Sequence, residues 1–99
     1  MTAAADPAGI DAGFEPSRPY ELHPHVALRP EPFGALAYHY GNRRLTFVRD
    51  TTLLKLLGEL GGHASVDDAL EAAGVAPERR PAFVRALGSL ARSEVIRAR

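Results

Sequence analysis

The sequence predicts an α+β domain of winged helix-turn-helix-like form: a three-stranded antiparallel sheet, then three helices, with a candidate short C-terminal strand. Three observations carry this. Residues Gly34 to Val48, GALAYHYGNRRLTFV, alternate with period two about a Gly41-Asn42 pair suited to a tight primed turn. From Leu53 to Ala91 the apolar residues switch to helical spacing, punctuated by Gly61-Gly62 and Gly74. Val95 and Ile96 then close the chain with a β-branched pair.

Ninety-nine residues suit one small domain that folds without staples if most of the chain takes part. There is no cysteine, which excludes disulfides and thiolate metal sites. No apolar run is long enough to span a bilayer, and the N-terminus lacks the basic and apolar regions of a signal, so a cytoplasmic protein is expected. The zero net charge conceals an asymmetry. Residues 1–42 carry two Arg against five acids, and residues 79–99 carry six Arg against Glu94 alone. The basic end is a candidate anion contact, but on charge alone a solvated helix surface balanced by the acidic half is the preferred reading.

Residues 1–21 read as a disordered or loosely ordered tail, rich in proline, glycine and alanine, with Ile10 and Phe14 as stray apolar residues. Residues 22–99 read as the folded domain. Its first strand is Val26–Arg29, bracketed by Pro24, Pro30 and Pro32 as an edge strand permits. In the hairpin, Tyr40 is expected opposite Arg43, Tyr38 opposite Leu45 and Leu36 opposite Phe47. Parity puts Leu36, Tyr38, Leu45 and Phe47 on one face, which is expected to be buried because it carries the bulk. Asp50 or Thr51 caps a helix over about Thr52–Leu60, whose stripe is Leu53, Leu56, Leu57 and Leu60. Ser65 with Asp68 forms a capping-box-like start to a short second helix ended by Gly74. Pro77 opens the third, with Phe83, Val84, Leu87, Leu90 and Ala91 as its apolar stripe.

The block ALRPEPFGALAYHYG, the leucine-rich helix of residues 53–60 and the LGSLARSEVI segment of residues 87–96 resemble the family of mycofactocin precursor-peptide chaperones. That family belongs with the small chaperones typified by pyrroloquinoline-quinone biosynthesis, recognition elements for ribosomally made peptides. The resemblance covers roughly Leu22 to Arg99. It implies a chaperone that binds a precursor's leader as an added strand beside the third strand, in a groove against the third helix; with no convergent titratable cluster in the sequence, neither catalysis nor a cofactor is expected. It further implies presentation to a radical S-adenosylmethionine maturase, which is expected on a different surface because the leader already uses the edge and groove; no nucleic-acid or membrane partner is expected. Carried onto this chain, the third strand is Arg44, Leu45, Thr46, Phe47 and Val48, and the groove wall is Phe83, Val84, Arg85 and Leu87.

Backbone pairing contributes only a few kcal/mol against an ordering cost of roughly 2–5 kcal/mol, so apolar leader anchors are required. A two-residue Gly41-Asn42 loop would aim the backbone groups of Arg44, Thr46 and Val48 at the free edge. Thr46→Pro is then expected to weaken leader binding while costing the fold little. The alternative is a DNA-binding winged-helix regulator, since Arg79, Arg80, Arg85 and Arg92 accompany the third helix. The absence of Asn, Gln and Lys from that helix leaves little with which to read bases. A metal site at His23, His25 and His39 is weaker again, and none is expected.

Overall fold

The computed structural model describes residues 13–99. It contains strands β1 (Tyr20–Leu22), β2 (Val26–Glu31), β3 (Gly34–His39), β4 (Leu45–Val48) and β5 (Ile96–Ala98), and helices α1 (Thr51–Glu59), α2 (Val66–Ala72) and α3 (Arg80–Arg92). The three-stranded antiparallel sheet has the order β2-β3-β4, and β1 pairs separately with β5. No helix among the described residues is long and apolar enough to cross a membrane.

Local chemistry starts and stops the helices. Asp50 caps α1 by accepting from the Leu53 N–H at 3.0 Å, and Ser65 caps α2 by accepting from the Asp68 N–H at 3.0 Å. After α2, Gly74 takes φ +73°, and the Val75 N–H donates back to the Leu70 carbonyl at 3.1 Å. After α3, Glu94 makes the same closure at φ +65°, with Val95 N–H to Leu90 carbonyl at 2.8 Å. Pro77 opens a 3₁₀ turn, Pro77–Arg79, that leads into α3.

The β3–β4 register agrees with expectation: Leu36 opposes Phe47 and Tyr38 opposes Leu45. The loop does not. It spans four residues, Tyr40–Arg43, with Arg43 at φ +64° and its N–H donating to the His39 carbonyl at 2.7 Å. His39 builds this wider turn by accepting the N–H groups of Gly41 and Asn42 on Nδ1, at 2.9 and 3.1 Å. Tyr40 and Arg43 therefore belong to the loop and do not close a two-residue turn.

The buried face of the hairpin is also opposite to the one expected. Ala35, Ala37, His39 and Val48 lie inside, while Leu45 is 57% and Phe47 62% exposed. The reason is the bulk of the helical layer. Leu56, Leu57, Leu60, Val66, Leu70 and Leu87 fill the interior, and Val26 and Leu28 of β2 project the same way. Alanine at 35 and 37 lets the helices approach this side closely.

The β2–β3 turn explains the Arg29-Pro30-Glu31-Pro32-Phe33 segment. Glu31 opposes Gly34 across a Pro32-Phe33 turn, and Gly34 sits at φ +144° where a Cβ would collide with the Val48 carbonyl oxygen. The Tyr40 N–H donates to the His25 carbonyl at 2.8 Å, which fixes the alternation of bonds along β2. By that alternation Pro30 turns its nitrogen to the outer edge of β2, where no donor is missed.

The segment read as a tail needs correction where it is described. Phe14 is 4% exposed and Tyr20 5%, their rings are 4.8 Å apart, and Tyr20–Leu22 forms β1. Arg18 and Pro16 accept backbone N–H groups from Val66 and Asp67, docking residues 16–18 on the start of α2. The expectation for residues 1–12, Ile10 included, lies outside the described residues.

Candidate functional site

The exposed edge of β4 is the first component of the site. The His39 N–H donates to the Arg44 carbonyl at 3.0 Å, so Arg44, Thr46 and Val48 turn their backbone groups inward to β3. Leu45 and Phe47 are left with N–H and C=O directed to the free edge. This reverses the expected phase. A loop of four residues in place of two keeps the register and exchanges which residues bond across it. Among the described residues no strand lies beyond β4, whereas the opposite edge is blunted by Pro30.

A groove of about 170 Å³ begins just past the end of β4, lined by Asp50, Leu53, Arg79, Ala82, Phe83 and Ala86. α1 contributes Leu53, and the start of α3 contributes Ala82, Phe83 and Ala86. Arg79 bonds Asp50 at 3.0 Å and lies 5.0 Å from the centre of the Phe83 ring, so one cation spans the polar and aromatic walls. The Leu53 N–H does most to hold the Asp50 carboxyl below the usual carboxylate range; burial opposes it, and the Thr52 N–H and Arg79 reinforce it. The result is an apolar floor with a fixed ion pair on its rim.

The expected site residues divide accordingly. Arg44, Leu45 and Phe47 are exposed at the edge and Thr46 is half-buried. Val48 is core, at 2% exposure. Phe83 is buried yet lines the groove, whereas Leu87 is wholly interior, Val84 packs partly against the core and Arg85 is out in solvent. Neither Val84, Arg85 nor Leu87 lines the groove. Asp50, Leu53, Ala82 and Ala86 were not anticipated at the site, and Arg79 was expected only as a cation open to solvent or a ligand. Their signal was present, since Arg79, Ala82, Phe83 and Ala86 are spaced i, i+3, i+4, i+7 on one helical face.

A second polar cluster gathers His23, His39 and Glu94, with candidate ligand atoms within 4.8 Å of one another. Its hydrogen bonds argue against a metal. Nδ1 of His39 accepts from two backbone N–H groups, and Nδ1 of His23 accepts from the His25 N–H at 3.0 Å. In the neutral rings the proton is thereby placed on each Nε2, which makes these atoms donors and not ligands. His39 Nε2 lies 3.9 Å from Glu94, beyond hydrogen-bond reach.

Residues 19–97 match the family model described as Peptide chaperone MftB family. A peptide chaperone MftB of Mycobacterium ulcerans (strain Agy99) is 42% identical over 96 residues, covering 97% of this chain and 88% of the relative. That of Mycolicibacterium smegmatis (strain ATCC 700084 / mc(2)155) is 42% identical over 83 residues, covering 84% of this chain and 81% of its own. That of Mycobacterium tuberculosis (strain ATCC 25618 / H37Rv) is 41% identical over 83 residues, covering 84% and 76%. No solved structure matches the chain. With the three-stranded sheet and helical layer as described, the chain belongs to the peptide chaperone MftB family, one of non-catalytic peptide chaperones.

Proposed function

We propose that this peptide chaperone binds the leader of a mycofactocin-type precursor peptide by strand addition to β4 and presents it to a radical S-adenosylmethionine maturase. The observation that carries the reading is a strand edge, unpaired among the described residues, that opens beside an apolar groove. Leu45 and Phe47 offer four backbone groups to a guest, worth about 0.5–1.5 kcal/mol net for each bond formed. Ordering the peptide costs roughly 2–5 kcal/mol. Apolar leader side chains seated on Leu53, Ala82, Phe83 and Ala86, at about 1.5–3 kcal/mol each, bring the sum toward micromolar affinity. Catalytic groups have no part in this scheme.

An NMR titration of isotope-labelled protein with leader peptide tests the reading. The amides of Leu45 and Phe47 are expected to shift and to gain protection from exchange, with Thr46 protected already in the free protein. Leader binding that leaves both edge amides in fast exchange would remove strand addition at β4.

A further inference from the structure

We propose that the outward face of the β2-β3-β4 sheet is the docking surface for the enzyme that receives the peptide, and that this partner meets it with an apolar patch edged by carboxylates. The inference rests on the reading above that the leader occupies the β4 edge. It starts from the inverted hairpin. The face turned away from the helices carries Leu36, Tyr38, Leu45 and Phe47, flanked by Tyr40 at 63% and Phe33 at 44% exposure. A concavity of about 330 Å³ crosses it, lined by Ala27, Arg29, Leu36, Tyr38, Tyr40 and Leu45. Soluble domains rarely leave so continuous an apolar surface uncovered without a partner for it.

The leader cannot be that partner. A strand added at β4 lies three strand spacings from β2, roughly 14 Å, so its side chains reach Leu45 and Phe47 but not Ala27 or Arg29. A body broader than a strand is needed. The aromatic rings are already ordered: Phe33 meets Phe47 edge-on at 5.6 Å and Tyr38 meets Tyr40 at 5.1 Å, which lowers the entropy lost on docking. Charge selects what docks. Arg29 opposes Leu36 on this face, Arg43 stands in the loop at its end and Arg49 follows Phe47 at the same parity, against Glu31 alone. Two copies placed face to face would set like charges against each other, whereas an acidic partner is attracted.

The two surfaces share residues. Leu45 and Phe47 turn their backbones to the free edge and their side chains to the outward face, so a guest strand widens the very face the partner covers. The partner therefore binds the leader-loaded chaperone more tightly than the empty one, and by linkage it tightens leader binding by the same factor.

The test uses the full chain and its Arg29→Glu and Tyr38→Glu variants, titrated by calorimetry with leader peptide and, separately, with purified maturase in the presence and absence of leader. Both variants are expected to bind leader within twofold of wild type and maturase at least tenfold more weakly. Wild type is expected to bind maturase at least threefold more tightly when loaded. Unchanged maturase affinity in both variants would overturn the face assignment, as would a wild-type dimer in sedimentation that either variant dissociates. Equal affinity for loaded and empty wild type would overturn the shared-surface argument. A leader that binds Phe47→Pro normally sinks the edge reading alone; maturase loss with Arg29→Glu then still supports the face.

Discussion

Proline at positions 46 and 47 should have opposite consequences, although the two residues are adjacent. Thr46 turns its N–H to Ala37 across the ladder, and Ala37 is 1% exposed. Thr46→Pro removes that bond and strands a buried carbonyl, a cost of about 1–3 kcal/mol, to which ring clashes inside a sheet add. At roughly 4–8 °C per kcal/mol for a domain of this size, the melting midpoint should fall by about 10 °C or more. Phe47 turns its N–H to the free edge, so Phe47→Pro takes nothing from the ladder. It removes one donor to the guest strand, worth about 1 kcal/mol or fivefold in affinity. Phe47→Ala supplies the control, because it deletes the same ring and keeps the N–H. The assay is leader affinity by calorimetry beside a melting curve for each variant. A Thr46→Pro protein that melts like wild type, together with Phe47→Pro and Phe47→Ala proteins of equal leader affinity, would refute the backbone phase.

Phe14→Ala should destabilise the domain by about 3 kcal/mol in a denaturant melt, because its ring is buried against Tyr20. Asp50→Ala should cost about 1 kcal/mol through the lost α1 cap, while Asp50→Asn keeps the acceptor for the Leu53 N–H. The Asp50 carboxyl is held low in the folded state, so its contribution is present above the ordinary carboxylate range and lost as pH falls through the folded value. Asp50→Asn should accordingly flatten the acid limb of the melting-point profile. His23 acts in the same direction in a higher pH window: burial first, then His39, His25 and Arg97, lower its pKa, so protonation favours the unfolded chain. Stability should fall as pH drops below 6.5, and less steeply in His23→Asn, measured by thermal melts across pH.

The register of the hairpin was legible because a turn centred on Gly41-Asn42 gives the same pairing for two loop residues or four. Its hydrogen-bond phase was not, because that depends on loop length, and loop length is decided by His39 Nδ1 accepting two N–H groups. Alternation likewise separates two faces without saying which turns inward. Bulk favoured Leu36, Tyr38, Leu45 and Phe47, but the interior was already supplied by α1 and by Val26 and Leu28, so the alanine face fitted better. Helix caps at Asp50 and Ser65 are local and were readable. β1 was not, since Tyr20 follows a proline and its partner is at the far end of the chain. Of the residues that the resemblance placed on the groove wall, Phe83 lines the groove, whereas Val84 and Arg85 fall on other sides of the same helix and Leu87 is turned fully inward, a difference the spacing of the stripe alone does not resolve.

The pairing of β1 with β5 brings Tyr20 beside Ala98, and the Arg99 N–H reaches the Pro19 carbonyl at 3.1 Å. Two strands far apart in sequence thus close the fold side by side. The same closure has a kinetic side: every other strand pairing is between neighbours in sequence, while this one must gather some seventy intervening residues, so β1 and β5 are expected to zip together late, after the sheet and helices have formed.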